Sequence, residues 1–181
     1  VLLAPGHSAR DTWRALAAQG VALEAKPFQL GVRVEHPQRL IDTGRYGTGP
    51  DAKRLGPASY ALVCKAEGEL PATYSFCMCP GGQIVASVSA PELLCTNGMS
   101  NSRHSSPFAS AALVTTLAPR EFGAEVFGGV QLQEDLERAA FEAGGSDYSA
   151  PAQRAQDFLA GRESPRLGRT SYRFGTLPGR I

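Results

Sequence analysis

YSFCMCPGGQIVASVSAPELLCTNGMSN, residues 74–101, sets the architecture expected of this chain. It carries three of the four cysteines and both methionines. Apolar runs at 74–78 and 84–88 flank Pro80-Gly81-Gly82. A tight hairpin connection needs positive φ, which glycine supplies, so the pattern predicts a β-hairpin across that turn. A third run, 93–96, ends at Asn97-Gly98, a second turn signal. Short extended runs joined by turns predict antiparallel sheet. The residues nearest the turns, Cys77, Met78, Cys79, Asn97, Met99, Ser100 and Asn101, are soft or hydrogen-bonding types that can line a ligand site. They serve equally well inside a buried meander, where Cys and Met pack as small or adaptable hydrophobes.

The flanking sequence extends this pattern. Phe28, Leu30, Val32 and Val34 alternate with polar residues, which predicts a half-buried strand over 24–35. Further strands are expected at 1–4, 60–65 and 111–117. Ser8 is placed to cap a helix carrying Trp13, Leu16 and Ala17 and closed by Gly20, with Asp11 in its first turn. Pro37 fits the start of a short helix with Leu40 and Ile41, and 45–57 reads as an exposed loop. Pro119 opens one helical turn. Over 127–143 an amphipathic helix is expected to bury Val130, Leu132, Leu136, Ala139, Ala140 and Ala143, with Gln133, Glu134, Asp135, Glu137 and Arg138 in water. Pro151 opens a last helix with Ala152, Ala155, Phe158 and Leu159 inward. The fold class is α+β: a mostly antiparallel sheet of about six strands, with helices at the two ends of the chain.

The totals exclude several function classes. With 181 residues and 18 Lys+Arg against 17 Asp+Glu, the net charge is +1. That weighs against nucleic acid or an anionic membrane as principal partner. No apolar run is long enough for a transmembrane helix, and no basic segment leads into an apolar core as in a signal peptide. Four cysteines in this length read as reduced thiols of a cytoplasmic protein. Val1 is not Met, and 161–181 is rich in Gly, Pro and Arg, so the chain is expected to be a segment of a longer protein.

No constellation is diagnostic on its own. Cys77 and Cys79, two apart on a strand, would point their sulfurs the same way, about 7 Å apart. Without a second Cys/His pair no metal site is expected. His7, His36 and His104 are isolated, so no Ser-His-Asp arrangement can be argued. Arg103-His104 suits an anion or a flat ring edge, and equally a solvated loop. Neither Gly-rich phosphate-binding motif is present.

Taken together, APGHSARDTW at 4–13, KPFQLGVRVEHPQ at 26–38, YSFCMCPGGQIV at 74–85, TNGMSN at 96–101 and APAQRAQDFLAGR at 150–162 resemble one family. It is the uncharacterised FAD-dependent dehydrogenases of bacteria, a branch of the flavoproteins with two dinucleotide-binding folds. The blocks stand in the family's order over nearly the whole chain, and SFCMCPGG is the most specific of them. The resemblance implies an N-terminal G-x-G-x-x-G unit and a later Gly-rich segment that hold FAD, with a middle domain inserted between them over the isoalloxazine ring. This chain is similar to that middle domain. On that basis residues 1–24 adjoin the FAD-binding domain, 25–163 form the inserted substrate-side domain, and 164–181 lead back. FAD is expected in the intact protein and not on this segment alone.

The resemblance also names residues. It implies cofactor proximity for Gly6 and His7, where Ala4-Pro5-Gly6 stands in place of the family's Ala-Thr-Gly. It implies the same for Pro80, Gly81, Gly82, Asn97, Gly98, Met99, Ser100, Asn101 and Arg103. Cys77 and Cys79 are candidate catalytic residues, as redox partners of the flavin or as walls beside its ring. One departure is Ala109 before Ser110-Ala111, where the family pattern has Asn-Ser-Ala. The implied activity is hydride transfer between the flavin and an unidentified small molecule, with the rest of the FAD-binding domain as partner. The competing expectation is a docking module for RNA or protein that uses Arg10, Arg14, Arg33, Arg39, Arg45 and Arg54, which the near-neutral charge weakens.

Overall fold

The computed structural model describes residues 2–123 and 125–179. Five helices, α1 (Arg10–Ala18), α2 (Gln38–Tyr46), α3 (Pro119–Phe122), α4 (Gly128–Ala143) and α5 (Ala155–Leu159), are interspersed with eight strands among these residues. The strands are β1 (Phe28–Pro37), β2 (Val63–Cys64), β3 (Thr73–Cys79), β4 (Gly82–Ala86), β5 (Thr96–Ser100), β6 (Phe108–Leu117), β7 (Ala150–Ala152) and β8 (Thr176–Pro178). The fold is α+β, as expected. An antiparallel sheet in the order β1-β6-β3-β2 forms its centre, and β4-β5 and β7-β8 are separate two-stranded pairs.

β6 is central because its small residues let neighbours approach. Ala109 and Ala111 are fully buried and Ser110 nearly so. Its register with β1 runs unbroken from Phe28 opposite Leu117 to Pro37 opposite Phe108. Pairing with β3 is interrupted between Phe76 and Cys79, where Cys77 takes φ +44°. This bulge explains the main departure from expectation. β3 and β4 do not form a hairpin: β3 pairs with β6 and β2, and β4 pairs with β5. The Pro80-Gly81 turn hands the chain from the large sheet to the small one.

Three further expectations are corrected. Residues 2–4 form no strand, and Leu2 and Leu3 are exposed, while Val1 lies outside the described residues. Ser8 does not cap α1; its hydroxyl pairs with the His7 ring, and Ala9 precedes the helix. On α4, Glu137 and Gln133 do not face water. They grip the Arg10 guanidinium at 2.9, 3.0 and 3.2 Å, with Arg10 only 5% exposed. Leu136 instead is 40% exposed. A buried ion pair on a helix face inverts the polarity pattern that an amphipathic reading assumes.

Pro151 lies in β7 rather than opening a helix. In α5 the large apolar residues Phe158 and Leu159 point outward, and Asp157 is buried. Its carboxylate accepts Arg162 Nε–H at 2.8 Å and Ser164 Oγ–H at 2.9 Å, fastening the turn that follows. The Ser164 and Arg162 hydrogen bonds hold the Asp157 carboxyl below the ordinary carboxylate range. A lowered folded-state value stabilises the protein above the unfolded value and stops doing so as pH falls through the folded one. Asp157→Asn is therefore expected to lower the melting temperature at pH 7, with the gap to the parent protein closing as the pH drops below about 4. Melts of both proteins across that range check it.

Candidate functional site

The 80–82 turn is built by long-range hydrogen bonds. Gln38, the first residue of α2 and 5% exposed, accepts the Gly81 N–H on Oε1 at 2.7 Å. Its amide nitrogen donates to Asp42 Oδ1 at 2.7 Å and to the Ala58 carbonyl at 2.9 Å. Gly81 C=O receives Ser106 N–H at 3.0 Å. The Pro80 carbonyl takes Ser100 Oγ–H at 2.8 Å, and His104 Nδ1 lies 3.0 Å from it. Gly81 has φ +54°, and a Cβ there would stand 2.0 Å from the His104 carbonyl oxygen. Glycine is required by this close backbone approach.

Arg33 joins the two sheets. It leaves the sheet face shared by Phe76, Cys79, Ser110 and Ala112. Its Nη2 donates to the Cys77 carbonyl at 2.8 Å and sits 3.2 Å from Cys79 Sγ. Nε donates to Ser110 Oγ at 3.2 Å, and Nη1 reaches Asn97 Oδ1 at 3.4 Å. Gly98 lies against the guanidinium, where a Cβ would be 1.8 Å from Nη2. Beside it, Glu35 accepts Ser171 N–H and O–H.

The structure thus gathers most of the sequence-predicted residues in one place: Cys77, Cys79, the 80–82 turn, 97–101 and the Arg103-His104 loop. It spends their polar atoms inside the protein. Asn101 Oδ1 accepts the Arg103 and Ser105 N–H groups at 3.1 and 3.3 Å, and Gly98 N–H goes to Asn97 Oδ1 at 2.8 Å. Its exposed residues include Cys77, Asn97, Met99, at 59% exposure, Asn101, Arg103 and His104. Gly6 and His7 are exposed at the start of α1, which is fastened to α4 through Arg10 and Arg14. Sequence reasoning missed Gln38 and missed Arg33's role in holding the cluster. The signal for Arg33 was a lone serine, Ser110, in an otherwise alanine-rich strand; for Gln38 no local signal exists.

All four cysteines are free thiols. Burial, and next the Glu137 carboxylate, push the Cys95 thiol up, and burial does the same to the Tyr60 hydroxyl, 2.9 Å from His36 Nε2. Of the six arginines considered for docking, Arg10, Arg14, Arg33 and Arg54 are engaged by the chain's own groups. Arg39 and Arg45 stay exposed on α2. Among the described residues no helix is long and apolar enough to cross a membrane, and no three His/Cys/Asp/Glu side chains cluster to hold a metal.

Two clefts bear on whether a dinucleotide could be enclosed. One, of about 130 Å³, runs between β4 and Tyr172, Arg173 and Phe174. The other, of about 230 Å³, lies among Glu92, Arg138, Phe141, Glu142 and Ser146. Pockets for drug-sized ligands run from about 300 to 1,000 Å³. Neither of these two clefts is large enough to enclose FAD, and the Gly81 N–H is already paired with Gln38.

Comparison with known proteins places the chain. The family described as FAD-dependent protein, C-terminal domain-like, matches residues 27–181. An uncharacterized protein of Clostridium beijerinckii is 42% identical over 169 residues, covering 93% of this chain and 32% of the relative. The chain therefore spans about a third of the length of the curated relative it matches. With a match over most of its residues, this chain belongs to the FAD-dependent protein, C-terminal domain-like family.

Proposed function

We propose that this chain is the substrate-side domain of an FAD-dependent oxidoreductase, packed against the part of a longer polypeptide that holds the cofactor. The observation that carries this is its surface. A compact monomer of 19.1 kDa exposes about 8,400 Å²; this chain exposes 12209 Å². The side chains it exposes include the large apolar residues Leu62, Val63, Leu70 and Phe76. Exposed apolar patches mark contact surfaces. FAD, when bound, supplies hydride exchange, and the protein supplies position and electrostatics. Cys77, Asn97, Met99 and Arg103 form the face this domain offers towards that chemistry. Gly81, Gln38 and Arg33 hold the face in shape.

The test is the visible spectrum of the full-length protein, set beside this segment titrated with FAD. Flavin absorbance near about 450 nm is expected in the long protein and absent from the segment. Stoichiometric FAD binding by the segment would mean that its own loops complete a site. No flavin in either would remove the oxidoreductase reading.

A further inference from the structure

The two edges of the central sheet are unlike. β2 is two residues long, which leaves little backbone to pair with. β1, at the other edge, is ten residues long, about 33 Å of strand. Among the described residues its backbone ladder partner is β6, and no other backbone group bonds its main chain. Proteins blunt exposed edges with shortness, bulges, lysines or proline. The β1–β6 register has no bulge, β1 contains no lysine, and its proline is the last residue. Its charged side chains guard nothing outward: Arg33 is taken up by Cys77, Cys79 and Ser110, and Glu35 by Ser171. Gly31 is exposed and Val32 is 47% exposed midway along.

We propose that β1 pairs along its outer edge with an extended segment from the remaining part of the longer polypeptide, so that the sheet continues across the domain boundary. This rests on the docked-domain reading above and names the surface through which docking occurs. The occupant is assigned to the same polypeptide because the matched relative is about three times the length of this chain. An unguarded ten-residue edge also calls for a backbone partner, since main-chain pairing is what it offers.

Residue-resolved hydrogen exchange on the full-length protein tests it. Amides that point away from β6 between Gln29 and His36 are expected to exchange as slowly as the inward ones, at least about a hundredfold slower than an unstructured chain. Fast exchange at every second β1 amide would overturn the proposal. So would protection that disappears on dilution together with a dimer-to-monomer change in light scattering, because the partner would then be a second copy. The flavin spectrum is read separately. A colourless protein with a protected β1 edge would remove the cofactor reading and keep the strand pairing.

Discussion

Gly81→Ala is expected to destabilise the protein by about 3–5 kcal/mol, close to the largest effect a single added methyl can have. Two independent costs add. The backbone at Gly81 is left-handed at φ +54°, and the new Cβ would lie 2.0 Å from His104 O and 2.4 Å from His104 C. Both atoms are backbone, so no side chain can swing aside. Relief requires moving the 101–107 loop or the turn, and either movement breaks bonds that meet at this residue. Gly81 N–H is bound to Gln38, Gly81 C=O to Ser106 N–H, and the neighbouring Pro80 carbonyl to Ser100. Gly44→Ala is the control. It lies within α2, where an added Cβ meets nothing within 4 Å. There alanine is expected to be neutral or to stabilise by about 0.5–1 kcal/mol. Urea unfolding of the two variants separates backbone clash from any general effect of replacing glycine. A Gly81→Ala protein within about 1 kcal/mol of the parent would show that the turn relaxes freely and does not anchor α2.

The contrast between what the sequence revealed and what it hid has a physical pattern. Local periodicity was legible: Phe28, Leu30, Val32 and Val34 alternate, and β1 forms there. Trp13, Leu16 and Ala17 fall at helical spacing, and α1 forms there. The motif blocks were legible as a family signature, which the match over 27–181 bears out. Strand partners were not legible. Pro80-Gly81-Gly82 announces a turn, but turn chemistry does not say whether the two flanking strands pair with each other, and the bulge at Cys77 is written in no residue type. The apolar residues of α5 misled because burial there went to Asp157, whose charge is compensated by Arg162 and Ser164. Asn97, Ser100 and Asn101 lie beside the 80–82 turn. Their bonds, however, close the loops on themselves, and the side chains that hold the cluster, Arg33 and Gln38, arrive from distant sequence.

Arg33→Ala is expected to cost about 2–4 kcal/mol and to loosen the β4-β5 pair from the large sheet. The loss strands Ser110 inside the protein and takes a donor from the Cys77 carbonyl. Ser110, 1% exposed, gives up its hydrogen bond from Arg33 Nε, and the Cys77 carbonyl loses a charge-assisted donor in a strained bulge. Arg33→Lys should recover only part of this, since one ammonium cannot reproduce a planar fork that serves Ser110 and Cys77 together. The discriminating experiment couples this side chain to Gly98. In the parent protein Gly98→Ala would put a Cβ 1.8 Å from Arg33 Nη2 and displace the guanidinium, so its cost is that of the bonds to Ser110 and the Cys77 carbonyl that the displacement breaks. In an Arg33→Ala background that obstacle is gone, so the same substitution should become mild. The two changes are therefore expected to be non-additive, with a coupling of about 1–3 kcal/mol. Faster alkylation of Cys79 should accompany Arg33→Ala, because the guanidinium that covers its sulfur at 3.2 Å is removed. Additive energies with unchanged alkylation would mean that the hairpin is held by its remaining contacts, Ile84 N–H to Ser171 Oγ and Ser100 Oγ–H to the Pro80 carbonyl among them. Arg33 would then be a passenger between two sheets that dock without it.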